Sequence, residues 1–157
     1  MGGLAEHKGD AVMNVIQVKK VRQGAILPVY GTSGAAGADL FACLEEDVSV
    51  APGQTVFVPT GLSMAIPQGC AGLIYARSGL ACKRGLAPAN KVGVIDSDYR
   101  GEIMVALHNH GGENQTVSNG ERIAQMVITP VLTPAYAEAE DLDNTQRGTG
   151  GFGSTGV

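Results

Sequence analysis

Residues 90–102 carry the sequence Asn-Lys-Val-Gly-Val-Ile-Asp-Ser-Asp-Tyr-Arg-Gly-Glu, which predicts a β-hairpin. Its apolar first half is typical of a strand, Ser97-Asp98 of a tight turn, and Gly101 onward of the returning strand. Asp96 directly follows two apolar residues and Tyr99 lies just past the turn. A carboxylate and a flat ring therefore border one small concavity, as in a pocket for a planar ligand. Because Asp side chains also favour solvated turns, this segment alone leaves both interpretations open.

The rest of the chain predicts a β protein. Apolar or β-branched runs recur about every 8–12 residues between Gly, Pro and Asn turn signals, which indicates an antiparallel sandwich or barrel. The other predicted strands are Val15–Val21, Ala38–Cys43, Val48–Val50, Thr55–Val58, Leu62–Ile66, Ala71–Ala76, Ile103–Asn109, Gln115–Val117 and Ile123–Leu132. Ser78–Arg84 is the one predicted helix, and Gly85 is expected to end it.

Composition limits the possible functions. The 157 residues suit one domain, and the absence of Trp with only three Phe predicts an aliphatic core. A net charge of −4 argues against nucleic-acid binding, and no apolar run approaches the roughly 18 residues that a membrane span requires. Cys43, Cys70 and Cys82 show no C-x-x-C spacing, which favours reduced thiols and a cytoplasmic protein.

The two ends of the chain differ from its centre. Residues 1–12 are predicted to be a disordered leader before a β domain over residues 13–132. Residues 133–146 are rich in Pro, Ala and acids, and predict an extended arm that lies across a neighbouring subunit. Five of the last ten residues are Gly, yet Phe152 has no local core to join. The tail therefore predicts a lid over a phosphorylated ligand, and the alternative is a terminus without function.

Five segments in series resemble the trimeric deoxyuridine triphosphatase (dUTPase) family: residues 36–40, 76–81, 90–102, 120–125 and 147–156. The resemblance covers residues 14–156. It implies an all-β, antiparallel jelly-roll homotrimer with three active sites, each built from several subunits. It also implies hydrolysis of dUTP to dUMP and pyrophosphate with Mg²⁺, which keeps uracil out of DNA and supplies dUMP for thymidylate synthesis.

The resemblance assigns roles to the central segment. Asp96 is the expected base that activates water for attack on the α-phosphate. Tyr99 would lie under the deoxyribose and leave no room for a 2′-hydroxyl. Asn90, with backbone groups at Gly93 and Ile95, would contact the edge of uracil. The structural alternatives are an Asp96 that pairs with an Arg and an ordinary half-buried Tyr99.

A further set of residues is expected to bind the rest of the nucleotide. The phosphate-binding candidates are Arg77, Ser78, Gly79 and Gln125, with Arg147, Gly153, Ser154 and Thr155 in the tail. Guanidinium groups, hydroxyls and close Gly backbone all suit phosphate oxygens. Phe152 would stack on uracil. Asp39 is the best outer-sphere acid for Mg²⁺, acting through water, and its alternative role is to cap the loop before its strand.

Four other residues are not assigned to the site. Arg122 is expected to be a structural ion-pair partner. His108 and His110 lack a third metal ligand nearby in sequence, which favours a surface or subunit-interface position. Cys82 has no adjacent base to activate it.

Two other functions remain open. The related dCTP deaminases share the fold and the Arg-Ser segment, but the run Val92–Ile95 offers no Glu for chemistry at the pyrimidine C4. A trimeric binding or regulatory protein could also retain the nucleotide pocket as a switch.

Overall fold

Twelve strands and one short helix form the regular structure of residues 15–152, which the computed structural model describes. The strands are β1 (Gln17–Lys20), β2 (Val29–Tyr30), β3 (Ala38–Phe41), β4 (Val48–Val50), β5 (Thr55–Pro59), β6 (Leu62–Ala65), β7 (Cys70–Tyr75), β8 (Leu86–Pro88), β9 (Gly93–Ile95), β10 (Met104–Asn109), β11 (Gln115–Val117) and β12 (Arg122–Pro130). Helix α1 (Ser78–Arg84) lies between β7 and β8. The predicted all-β class is confirmed.

All strand pairs are antiparallel, and they form four sheets. The largest sheet has the order β2-β3-β12-β7-β9, the next has the order β5-β10-β8, and β1-β6 and β11-β4 form two-stranded ribbons. Side chains from all four sheets meet in one apolar cluster. The result is a jelly-roll-type sandwich, in which β12 lies at the centre of the large sheet.

The core is aliphatic, as the composition predicts. The largest fully buried apolar side chains are Leu40, Leu62, Leu86, Ile103, Leu107, Ile123, Val50, Val58, Val105 and Val117. Phe57, by contrast, is 70% exposed. Buried Thr60 donates its hydroxyl to Ile103 O at 2.7 Å, and buried Asn109 donates to Val50 O at 2.8 Å. Polar groups in this interior are therefore satisfied by backbone partners.

Helix α1 has the predicted bounds and is fixed at its C-terminal end. Gly85 adopts φ +66° there, and its N–H donates to Ala81 O. Arg84 donates to Gln115 Oε1 at 2.9 Å, forms an ion pair with Glu121, and also bonds to Thr116 O. These contacts join the helix to β11 and to the start of β12, and so hold the β7–α1 connection in place.

The prediction of a hairpin is wrong, and two strands of the structure were not predicted. Residues 90–102 do not form a hairpin, because β9 pairs with β7 in the large sheet while β10 pairs with β5 and β8. The segment is a corner between two sheets, although Ser97-Asp98 is a turn as predicted. Strands β2 and β8 were not predicted at all.

The chain leaves the sandwich after Pro130, and residues 131–152 contain no helix or strand. Leu132, Tyr136 and Leu142 are 94%, 97% and 89% exposed, so the arm packs little of its apolar surface against its own domain. The predicted leader, residues 1–12, lies outside the described residues. Within residues 15–152, no helix is long and apolar enough to cross a membrane.

Candidate functional site

Three predicted site residues lie close together at one end of the large sheet. Asp39 on β3 pairs with Gln125 on β12, and Gln125 pairs with Tyr75 on β7. Arg77 follows Tyr75 by two residues, and its Nε donates to Asp39 Oδ1 at 2.7 Å. Gln125 donates to Ala76 O at 2.9 Å. We name Asp39, Arg77, Ser78, Gly79 and Gln125 the Asp39 cluster.

The Asp39 cluster together with Arg122 carries a net positive charge. Arg122 Nη1 lies 3.4 Å from Asp39 Oδ2, so one carboxylate contacts two guanidinium groups. Only 14% of the Asp39 side chain is exposed, and the pairing with Arg122 agrees with the structural role expected for that residue. Asp39 therefore acts here as an ion-pair acceptor. One positive charge remains in excess, which favours an anionic ligand.

A second group of predicted residues lies around β9. Asn90 and Gly93 are in contact, because a Cβ at Gly93 would lie 3.2 Å from Asn90 Nδ2 and 3.3 Å from Ile74 Cβ. A side chain at this position would require these neighbours to shift by a few tenths of an ångström, so glycine suits the close approach. Lys91, between them, adopts φ +66°, a left-handed conformation that is unusual for a non-glycine residue. We name Asn90, Gly93, Ile95, Asp96 and Tyr99 the Asp96 cluster.

Asp96 presents a free carboxylate. The residue is exposed, and among residues 15–152 its side chain has no hydrogen-bond or ion-pair partner. Its backbone oxygen accepts the Tyr99 N–H at 3.2 Å, which closes the turn. The alternative role of pairing with an arginine is therefore not observed in the described part of the chain.

Tyr99 is half-exposed and its ring is anchored. It retains 43% of its accessible surface, and its hydroxyl donates to Glu102 O at 2.9 Å. The ring passes closely over Gly101. The side chain can thus contact a ligand through its open face while its hydroxyl end is held by the protein.

Within one chain, the two clusters lie on different strands of the large sheet. Ile95 pairs with Gly72 on β7, whereas the row of Asp39 and Gln125 reaches β7 at Tyr75. Three residues along β7 and three strand spacings across the sheet separate Ile95 from Asp39 by roughly 17 Å. Gly93 lies nearer to the Asp39 cluster, since it pairs with Ile74 next to Tyr75, and this register places it about 10 Å from Gln125.

Among the described residues, no hydrogen bond or ion pair joins the tail to either cluster. Arg147 is exposed, and its Nε donates to Gly150 O at 2.8 Å. Gly148 donates to Thr145, so the hydrogen bonds of residues 147–152 stay within residues 145–150. Phe152 is fully exposed. The predicted ligands Gly153, Ser154 and Thr155 lie outside the described residues.

An ion pair between Arg22 and Glu102, which sequence reasoning missed, lies behind Tyr99. Arg22 Nε and Nη2 donate to the Glu102 carboxylate at 2.6 and 3.0 Å, and the Gly61 N–H donates to it at 3.0 Å. The hydrogen bond from Arg22 lowers the pKa of Glu102, with a further contribution from the Gly61 amide, whereas burial opposes the shift. The two residues are 80 positions apart, so no local sequence pattern indicates the pair.

The Glu102 carboxylate should make stability depend on acid pH. Because its folded pKa lies below the ordinary value of 4.5, the ionised form stabilises the fold at neutral pH. That contribution is lost as the pH falls below 4.5 and through the folded pKa. Between about pH 7 and about pH 3, Tm should therefore fall less for Glu102→Gln than for the wild type. Glu46→Gln, at an exposed site with no ion pair to the residues that the structure describes, should follow the wild-type curve. Equal slopes for all three proteins would contradict this assignment.

Comparison with known proteins gives a consistent result. The dUTPase family model matches residues 23–156. The deoxyuridine 5′-triphosphate nucleotidohydrolase of Desulfitobacterium hafniense (strain DSM 10664 / DCB-2) is 53% identical over 150 residues, which covers 92% of this chain and 99% of the relative.

Solved structures agree with the sequence match. The dUTPase of Staphylococcus bacteriophage 80alpha with dUpNHpp has a TM-score of 0.84 and 29% identity, covering 92% of this chain and 99% of that one. A mutant dUTPase from phage phi11 of S. aureus, described for its coordination of a structural Mg(II) ion, has a TM-score of 0.74 and 25% identity over 82% of this chain and 98% of that one. On the evidence of its fold, its two residue clusters and these matches, the chain belongs to the dUTPase family, as the five sequence segments predict.

Proposed function

We propose that this protein hydrolyses dUTP to dUMP and pyrophosphate, with Asp96 as the base that activates water. Family membership confirms the predicted enzyme class, a dUTP diphosphatase. The observation that carries the assignment of the base is the exposed Asp96 carboxylate, which has no partner within residues 15–152. The reaction would keep uracil out of DNA and supply dUMP for thymidylate synthesis.

The chemistry requires one proton acceptor near the α-phosphate. Water attacks the α-phosphorus, Asp96 accepts the proton, and the bond from that phosphorus to the bridging oxygen breaks to release pyrophosphate. An unpaired carboxylate suits this role, because its oxygens are free to orient water before the attack.

The Asp39 cluster would bind the triphosphate. Arg77 uses Nε for Asp39, and its terminal nitrogens make no other hydrogen bond to the described residues, so they are available for phosphate oxygens. Ser78 and Gly79 are exposed beside it and can supply a hydroxyl and an accessible amide. Gln125, held by Ala76 O, would donate its second amide hydrogen.

The Asp96 cluster would select the base and the sugar. Asn90 and the backbone at Gly93 and Ile95 would pair with the edge of uracil. Cytosine carries a hydrogen-bond donor at one ring position where uracil carries an acceptor. In the same site, polar groups buried by the bound base would then face groups of the same kind, and the hydrogen bond would be lost. Tyr99 would lie under the deoxyribose.

A homotrimer with shared sites would bring the two clusters together. Asp39 and Ile95 lie roughly 17 Å apart in one chain. As the family resemblance implies, a complete site would join the Asp39 cluster of one subunit to the Asp96 cluster of another. The arm supports contact between subunits, because its apolar residues Leu132, Tyr136 and Leu142 are exposed. The tail of a neighbouring chain would then deliver Arg147, Phe152, Gly153, Ser154 and Thr155 to the site.

Mg²⁺ would bind mainly through the substrate phosphates, and Asp39 would hold it through water. Residues 15–152 contain no cluster of three or more His, Cys, Asp or Glu side chains suited to a metal ion, which fits an ion that takes few protein ligands. The Asp39 Oδ2 contact with Arg122 is long at 3.4 Å, so this oxygen can also accept from water. The bound ion would neutralise charge on the triphosphate.

The direct test is pyrophosphate release from dUTP and from the four common deoxynucleoside triphosphates, with and without Mg²⁺. We expect release from dUTP alone and a strong dependence on Mg²⁺. Ammonia release from dCTP would replace this proposal with deamination, and binding of dUpNHpp without turnover of dUTP would indicate a binding protein. Free Cys43, Cys70 and Cys82 support the proposed cytoplasmic location, and no nucleic-acid or membrane partner is proposed.

Mixed trimers test whether subunits share sites. Asp96→Asn and Arg77→Gln homotrimers should each be nearly inactive. If the two variants are unfolded and refolded together in equal amounts, about a quarter of the sites should combine an intact Asp39 cluster with an intact Asp96 cluster. Activity should return to about that fraction of the wild-type rate. Activity no higher than the sum of the separate variants would show that each site belongs to one chain.

A further inference from the structure

We infer that Gly101, Glu102 and Arg22 are positioning residues that hold the Tyr99 ring in place and thereby set the selection of deoxyribose over ribose. This inference rests on the proposed function, in which Tyr99 contacts the sugar. It adds three residues, none of which would touch the nucleotide, to the determinants of sugar specificity.

The backbone of Gly101 lies in close contact with the Tyr99 ring. A Cβ on this residue would lie 2.5 Å from Tyr99 Cζ and 2.9 Å from Cε2, and nearer still to the hydroxyl oxygen. These distances are shorter than van der Waals contact, so any side chain here would lift the ring. The hydroxyl end of Tyr99 thus rests directly on the backbone of its own turn.

Glu102 holds the hydroxyl end of Tyr99 through a hydrogen bond. Its carbonyl oxygen accepts the Tyr99 hydroxyl at 2.9 Å. Its carboxylate is bound by two nitrogens of Arg22 and by the Gly61 amide. The residue that fixes the ring is therefore itself fixed by three charge-assisted hydrogen bonds.

The chain on both sides of Glu102 is bound to residues 60–63. Ser63 Oγ donates to Arg100 O at 2.7 Å, and the Ile103 N–H donates to Leu62 O at 2.8 Å. Thr60 Oγ1 donates to Ile103 O at 2.7 Å. Leu62 and Ile103 are buried, so this support belongs to the rigid core rather than to the exposed turn.

This support matters because the Tyr99 ring can reject a 2′-hydroxyl by steric contact only if the ring keeps its position. A ring free to tilt would make room for the extra oxygen at little cost. The hydrogen bond from the Tyr99 hydroxyl to Glu102 O and the close contact with Gly101 together restrict that tilt. Ribose is then rejected by the rigidity of Tyr99 as well as by its size.

The test compares kcat/KM for dUTP and for UTP in two variants. Gly101→Ala should reduce the dUTP/UTP ratio at least about 10-fold, because the displaced ring no longer excludes the 2′-hydroxyl. Tyr99→Phe keeps the ring but removes the hydrogen bond to Glu102, and should reduce the ratio about 3- to 10-fold. Measurement of Tm identifies a variant that fails to fold. If Gly101→Ala does not fold, Tyr99→Phe still tests the inference.

Positioning through the ion pair is tested separately. Glu102→Gln can keep the Gly61 contact but loses the charge pair with Arg22, so it should lower the ratio less than Gly101→Ala does. Glu121→Gln removes a different ion pair, at Arg84, and should lower Tm without changing the ratio. Gly112→Ala, where a Cβ would meet nothing within 4 Å, is the matched glycine control.

The outcomes distinguish this inference from the proposed function. A wild-type protein that does not hydrolyse dUTP would reject both. A wild-type protein that hydrolyses dUTP and discriminates against UTP, with the same ratio in folded Gly101→Ala and Tyr99→Phe, would reject only the positioning role.

Discussion

Replacing Asp96 with Asn is expected to lower kcat for dUTP by about 10²- to 10⁴-fold, the range that a general base typically contributes. Asn has nearly the same shape but cannot accept the proton of the attacking water. Because Asp96 is exposed and its side chain has no partner within residues 15–152, the change should leave the fold intact. The affinity for dUpNHpp should also remain close to that of the wild type, since the carboxylate acts on water.

Asp98→Asn is the matched control, because Asp98 is an exposed acid in the same turn. Its turnover should stay near the wild-type value. Steady-state pyrophosphate release gives kcat, and equilibrium binding of dUpNHpp separates loss of chemistry from loss of binding. Unaltered turnover in Asp96→Asn would exclude this residue as the base.

Deletion of residues 147–157 should lower kcat/KM for dUTP by about 10²-fold or more while leaving Tm and the oligomeric state unchanged. The deletion removes Arg147 and Phe152, and misplacement of a substrate by about 1 Å already costs about 10²-fold. The core should not be affected, since the hydrogen bonds of residues 147–152, the described part of this segment, stay within residues 145–150.

Two further variants make the tail experiment specific. Phe152→Ala alone should lose the stacking contribution of about 1–3 kcal/mol, which corresponds to about 5- to 150-fold in kcat/KM. Removal of residues 1–12, which are not predicted to contribute to the site, should leave kcat/KM unchanged. Dissociation or unfolding of the tail deletion would contradict a role as a lid.

Much of the fold was predictable because its strands are marked locally. Alternating apolar residues and turn residues identify β10 and β11, and Gly85 correctly ends α1. What failed is the choice of partner: β9 and β10 are neighbours in sequence but belong to different sheets. Pairing depends on which faces are buried together, and a run of three residues such as β9 carries no such information. The two-residue β2 and the three-residue β8 are too short to show a period.

The candidate site was predictable only in part. The resemblance identified both clusters, but neither the pairing of Asp39 with two arginines nor the support behind Tyr99 could be inferred. Arg22 and Glu102 become neighbours only after the chain folds, and nothing in the sequence marks Lys91 for a positive φ. Such features arise from long-range packing, which local residue patterns do not encode.

The ion pair between Arg77 and Asp39 has a consequence for substrate capture. Arg77 Nε is held 2.7 Å from Asp39 Oδ1, so the guanidinium loses rotational freedom when the protein folds. An arriving nucleotide then encounters a preset cation and does not have to immobilise a flexible one. The entropic cost of ordering this side chain is therefore met once, when the protein folds, and not each time a substrate binds.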